Sequence, residues 1–270
     1  MLQIQIRGLR ELPPEFLDID LNRPLVPPPK ELDYSPKFFH IQDELGVALY
    51  NLTGQAQKQR MEHHLRENLN FKKKFNLQLE HCQENVSGCA LKPLQTHQTK
   101  LQTLKLSQEQ KNQSYQLTIT IKDILIQSTT EVGLFYGLCT LSQLIFKTQG
   151  KWVVQQIQVF DYPTYLLRGI TDQQCHGQVG NLNSLKRHVR FLARYKQNAM
   201  GLNLEDIMGF QKYPYLGEGR GKFSREEIEE ICGYAEMYYV EIIPGFQGLG
   251  HLENLLFHKN LRQLAEFPGA

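Results

Sequence analysis

The 270 residues carry 30 basic and 28 acidic side chains, a formal net charge of +2, so neither an extended basic face for nucleic acid nor an acidic tail is present. No segment approaches the ~18 uninterrupted apolar residues of a membrane span, and the start, MLQIQIRGLRELPPEF, lacks the charged and apolar blocks of a secretory signal. Five cysteines at irregular spacing, with Cys82 and Cys89 out of CxxC register, fit a reduced, cytoplasmic setting rather than a zinc site or a disulfide framework.

In chain order, Leu2, Ile4 and Ile6 alternate with polar residues. Pro27-Pro28-Pro29 then exclude a helix and favour an extended entry into a domain. Leu45, Leu49 and Leu52, continued by Met61 and Leu65, predict a helix over 45–66 that Gly54 can divide. His63-His64 lie on it with no acid or cysteine at convincing metal spacing, so a solvated face is expected. Lys72-Lys73-Lys74 reads as solvated surface, and the Gln-, Lys- and Asn-rich stretch 67–113 as short strands and polar loops. Tyr115, Leu117, Ile119 and Ile121 alternate with Gln116, Thr118 and Thr120, the pattern of a strand with one buried and one wet face. Asp123 supplies a turn, and Ile124-Leu125-Ile126 returns as the second strand of a hairpin. Leu134, Leu138, Leu141 and Ile145 then share one face of a helix, and Gly150 ends the unit. A helix on an antiparallel sheet makes a compact α+β domain.

Residues 153–167 read as a connection, because Pro163 is disfavoured inside a central strand. The domain change is placed near Phe160, dividing the chain into residues 1–160 and 161–270. Beyond it the rhythm is that of successive βα units feeding a parallel sheet. Strands are predicted at 166–171, 199–204 and 240–244, with helices at 183–196, from Ser224, and from Leu252 toward Phe267. Ser224 and Glu227 form a capping box, and Ile228, Ile231, Cys232, Ala235 and Tyr238 face inward. Polar residues fall around the strand ends: Arg168 and Asp172, then Glu205 and Asp206, then Gln247 and His251. In a (β/α) barrel such ends line the active-site mouth. The insertion QKYPYLGEGRGKF is expected at the surface on that side. Three parallel strands cannot close a barrel. The residues alone allow the front part of a longer protein or an open three-stranded α/β domain completed by a partner.

The ordered motifs LVPPPKEL, SYQLTITIKDILIQS, GLFYGLCTLSQLI, VFDYPTYLLRG, LEDIMGFQKYPYLGEGRGKFSREEI and IIPGFQGLGHLENLL resemble glycoside hydrolase family 20, the β-N-acetylhexosaminidases, and in particular the hexosaminidase D-like branch. The likeness runs from about Leu25 to the last residue. It implies an α+β N-terminal domain followed by the first three βα units of a (β/α)8 TIM barrel. It also implies a carbohydrate substrate ending in N-acetylhexosamine, with no metal or organic cofactor, and leaves the oligomeric state open.

By the same resemblance Arg168 holds sugar hydroxyls, for which a planar guanidinium fork is suited. Asp206 and His251 support the catalytic acid, a carboxylate on one imidazole nitrogen fixing the tautomer of the other. Asp172 and Glu205 are further substrate-binding candidates. From the residues alone, Arg168 can equally form an ion pair at the domain junction, and His251 can cap the following helix. Gln247 stands where many members carry an acid. The family's chemistry rests on an Asp-Glu pair in an H-x-G-x-D-E pattern. There the Glu protonates the leaving oxygen and the Asp orients the substrate's own acetamido group, one of the exceptions to the two-carboxylate scheme. The one adjacent Asp-Glu here is Asp43-Glu44, in the first domain. The expectation is therefore an N-terminal portion that is inactive by itself. A carbohydrate-binding remnant using Phe210, Tyr213 and Tyr215 is the alternative, and another N-acetylhexosamine-active glycosidase family, marked by paired Asp-Asp or D-x-D-x-E, is a third reading.

Overall fold

The computed structural model describes residues 1–11, 25–70, 75–82 and 96–267. Lys72-Lys73-Lys74 and Cys89 lie outside the described residues. The chain divides into two compact units, Met1–Leu166 and Leu167–Ala270. No helix among the described residues is long and apolar enough to cross a membrane.

The first unit contains β1 (Leu2–Glu11), β2 (Glu31–Tyr50), α1 (Gln55–Asn70), β3 (Asn76–Cys82), α2 (Thr96–Thr103), α3 (Gln108–Gln113), β4 (Tyr115–Ile119), β5 (Ile124–Ser128), α4 (Glu131–Leu144), β6 (Phe146–Thr148) and β7 (Lys151–Asp161). The strands form one sheet in the order β3-β2-β1-β5-β4-β7-β6. The long β2 pairs with β7 through its first half and with β1 through its second, so β1, β5, β4, β7 and β2 form a closed ring. Ring closure buries both faces of the β4–β5 hairpin. Leu117 and Ile126 are fully buried, but so are Gln116, Thr118 and Gln127, where one wet face was expected. One cross-strand bond joins the buried amides, Gln127 Nε2 donating to Gln3 Oε1 at 3.0 Å, while Gln127 Oε1 and Gln3 Nε2 stay unbonded.

Helix α4 is apolar nearly all round, and Gly133 to Ser142 are buried without a break. Gly133 allows the close approach, since a Cβ there would lie 2.0 Å from Ser128 Oγ and 2.3 Å from the Ser114 carbonyl oxygen. Several expectations are corrected in this unit. The helix predicted over 45–66 begins only at Gln55, because Leu45, Val47 and Leu49 alternate at the strand period and belong to β2. Gly54 opens that helix instead of dividing it, its carbonyl accepting from Lys58 N. His64 is fully buried with its ring centroid 4.4 Å from that of Phe135, so only His63 keeps the solvated position. The stretch 153–167 is no mere connection. Residues up to Asp161 form β7, paired on one side with β4 and β6 and on the other with β2, and Pro163 falls just past its end. Within 67–113, α2 and α3 stand where loops were expected.

The second unit alternates strands and helices: β8 (Gly169–Gln173), α5 (Leu182–Arg194), β9 (Ala199–Asn203), α6 (Arg225–Met237), β10 (Glu241–Gly245) and the short α7 (Glu253–Leu256). The sheet is parallel, in the order β10-β9-β8. Asn181 caps α5 by accepting from Ser184 N, and Leu185, Val189 and Leu192 bury the face turned from solvent. Both halves of the Ser224–Glu227 capping box are formed on α6. Ile231, Ala235 and Tyr238 are buried, whereas Cys232 is exposed. The long last helix is not formed: α7 ends at Leu256, and a 3-10 turn at Arg262–Leu264 follows.

Candidate functional site

Parallel register fixes where each polar residue of the second unit lies. Gln173 pairs with Asn203, and Gly245 pairs with the same residue from the other side. The C-terminal ends of all three strands therefore share one edge. Asp172 lies one residue before that edge, Glu205 and Asp206 follow β9, and Gln247 and His251 follow β10. Arg168 does not join them. It precedes β8, which runs from Gly169 to Gln173 and not from Leu166, so Arg168 falls at the opposite, N-terminal edge. There its Nε donates to the Lys196 carbonyl at 2.9 Å, and its backbone N–H donates to Asn198 Oδ1 at 2.8 Å. It braces the α5–β9 turn.

Asp206 is 1% exposed, and its carboxylate is answered by Arg220. One guanidinium nitrogen, Nη1, lies 2.7 Å from both carboxylate oxygens, while Nη2 donates to the Cys175 carbonyl at 2.6 Å. Arg220 comes from the glycine-rich insertion, which folds back over the strand end. Phe223 N–H donates to the Ile207 carbonyl at 2.8 Å, and Leu216 is buried. Gly217 makes this return possible. It has φ +68°, and a Cβ there would lie 2.6 Å from the Asp206 carbonyl oxygen.

Glu205 is also buried and takes the left-handed backbone conformation, φ +44°. Strain of this kind in a non-glycine residue is held by its surroundings and concentrates at functional sites. Asn203 Nδ2 donates to Gln173 Oε1 at 2.7 Å and lies 3.4 Å from Glu205 Oε1 and 3.5 Å from Cys175 Sγ. Burial, then the hydrogen bond to Glu205, raise the Cys175 thiol from 9.0 to about 11. Asp172 Oδ2 is 2.8 Å from His188 Nδ1 on α5. His251 also has a left-handed backbone, φ +53°, is exposed, and makes no hydrogen bond or ion pair among the described residues.

Two clusters among the described residues offer three metal-ligating atoms within 4.8 Å of one another: His63, His64 and Glu67 on α1, and Cys175, His176 and Glu205 at the strand ends. The sequence did not point to the second cluster, because its members come from two strand-end loops.

The sequence model of glycosyl hydrolase family 20, domain 2, matches residues 22–162. The chain belongs to glycosyl hydrolase family 20. Among its relatives in the family, "Beta-hexosaminidase A" of Caenorhabditis briggsae is 30% identical over 152 residues, which cover 52% of this chain and 27% of the relative. "Beta-hexosaminidase" of Vibrio vulnificus is 28% identical over 185 residues, covering 55% of this chain and 21% of the relative. The chain thus spans about a quarter of the length of these relatives. Among solved structures, Flavobacterium johnsoniae chitobiase superposes with a TM-score of 0.65 at 21% identity, covering 86% of this chain and 36% of that one. Streptomyces plicatus N-acetyl-beta-hexosaminidase gives 0.67 at 19% identity, covering 96% and 50%. At these identities the structures establish likeness of fold.

Arg220, Asn203 and Gln173 were not anticipated among the strand-end residues. Asn203 was legible in principle as the last residue of a strand ending in Asn-Leu-Glu-Asp. Arg220 was not, being 14 residues from its partner across a loop whose path the sequence does not specify.

Proposed function

We propose that the second unit forms the first three βα units of a (β/α)8 TIM barrel. On this reading the chain is the N-terminal portion of an exo-β-N-acetylhexosaminidase. The enzyme would remove terminal N-acetylglucosamine or N-acetylgalactosamine by substrate-assisted, retaining hydrolysis. The observation that carries the reading is the common edge on which Asp172, Glu205, Asp206 and His251 follow or end parallel strands. The edge strands support it: Ile170 of β8 and Ile243 of β10 are 46% and 39% exposed, as expected of strands awaiting neighbours.

In this role Asp206 and His251 hold the catalytic acid, and Asp172 and Glu205 contact sugar hydroxyls. The Arg220 pair holds the Asp206 carboxylate in place. Arg168, which precedes β8, would hold sugar hydroxyls as the resemblance implies. These residues supply neither the acid nor the group that orients the acetamido carbonyl, since Asp43-Glu44 is exposed on β2 in the first unit. The 270-residue chain by itself is therefore expected to hydrolyse nothing measurable. The irregular spacing of the five cysteines supports a reducing, cytoplasmic setting.

The test is the reading frame past codon 270. An H-x-G-x-D-E pattern there is the expected result. A D-x-D-x-E or paired Asp-Asp pattern would assign the barrel to another glycosidase family and sink the reading.

A further inference from the structure

We propose that Cys175, His176 and Glu205 form a zinc-binding site at the ends of β8 and β9. This goes beyond the hydrolytic reading and does not depend on it; in the zinc-bound form Glu205 serves the ion instead of the sugar contact given to it there. The first support is the ligand set. One thiol, one imidazole and one carboxylate lie with their ligating atoms within 4.8 Å of one another. A mixed S, N, O set suits a borderline-soft ion such as Zn2+, whereas Mg2+ and Ca2+ take oxygen ligands. The second support is crowding of acceptors. Gln173 Oε1, Glu205 Oε1 and Cys175 Sγ gather at 2.7, 3.4 and 3.5 Å around the single amide nitrogen of Asn203. That nitrogen has two hydrogens for the three, and the remaining donor is the Cys175 thiol, 3.9 Å from Gln173 Oε1; loss of its proton on binding leaves a thiolate and a carboxylate for the cation to answer.

Cys175 and Glu205 are buried and fixed. His176 is exposed and makes no hydrogen bond or ion pair among the described residues, so its ring is free to turn inward. Zinc bonds of about 2.0–2.3 Å bring ligand atoms to roughly 3.5 Å from one another, and turning the ring supplies the ~1 Å of closure required. The thiol proton passes to solvent on binding, and the fourth position is left to water or to Gln173 Oε1. Charge then balances, because thiolate and carboxylate neutralise the ion while Arg220 is already answered by Asp206. The α1 cluster is the weaker candidate, since His64 is held beneath the Phe135 ring.

The purified chain, stripped with a chelator under reducing conditions, is titrated with Zn2+ against a chromophoric chelator and separately with Co2+. One ion per chain and a near-ultraviolet sulfur-to-cobalt charge-transfer band are expected. Cys175→Ser abolishes the band, and His176→Ala, at an exposed position that leaves folding intact, weakens Zn2+ binding by about tenfold or more. His63→Ala changes neither. Absence of stoichiometric binding, binding indifferent to both substitutions, or loss in His63→Ala overturns the proposal. Because the readout is metal binding, failure of the hydrolase reading leaves this result untouched.

Discussion

The carboxylate of Asp206 is withdrawn from water, and Arg220 compensates it from a loop that returns across the strand end. A buried charge left without its partner typically costs 3–5 kcal/mol. Arg220 is itself 30% exposed, so water offsets part of the loss, and Arg220→Ala is expected to destabilise the second unit by about 3 kcal/mol. A drop in the urea midpoint with unchanged slope checks this; a shift below ~1 kcal/mol would mean that water already carries the pair. In the first unit, burial and then the Asp161 charge hold Tyr115 ionisation well above 10.0. The native state keeps that proton longer than the unfolded chain. Its contribution is therefore complete below pH ~10 and is lost as pH rises beyond it. Tyr115→Phe removes the hydrogen bonds to Thr140 and Asp161 and lowers stability at neutral pH, yet its stability should fall less steeply between pH 10 and 12. Parallel steepness in both proteins would contradict this assignment. At this scale the sequence was a partial guide. Asp206 and Glu205 were legible because a strand-end acid is a local pattern. The strand start was read three residues early, since β8 begins at Gly169 and Arg168 precedes it.

Elements were legible where their hydrophobic period was local and obscured where long-range pairing decided burial. The capping box of α6 and the apolar run of α4 are local, and both formed as expected. The end of β2, from Leu45 to Tyr50, was read as helix because Leu45, Leu49 and Leu52 also fit a period near four, and only pairing with β1 and β3 selects the extended form. The polar face of β4 was expected to be wet, since no local pattern announces that β2 closes the ring. Packing of α4 onto β4 and β5 turns on Gly133. Gly133→Ala places a methyl group against Ser128 Oγ and the Ser114 carbonyl and forces the helix outward. The expected cost is about 2–3 kcal/mol, read from thermal unfolding. A neutral result would mean that the helix has room the structure does not suggest.

Across the molecule, a ring-closed α+β unit precedes a parallel βα unit whose sheet ends in two open edges, and the family assignment rests on the first of these. Composition argued against a membrane-spanning helix and offered no extended basic face. The order of motifs carried the family likeness, which no single element would have carried. What the fold adds is the shared strand-end edge, and with it a division of labour. On the proposed reading, these residues would hold the sugar and the acid, and the acid itself would come from a later strand. The most direct measurement is release of 4-nitrophenol from its N-acetyl-β-glucosaminide. It is made in parallel on the 270-residue chain and on the product of the whole reading frame that contains it. Hydrolysis by the latter, reduced about a hundredfold by Asp206→Asn, with none by the former, is the predicted outcome. Turnover by the 270-residue chain alone, or an Asp206→Asn enzyme of undiminished kcat/KM, would contradict the account.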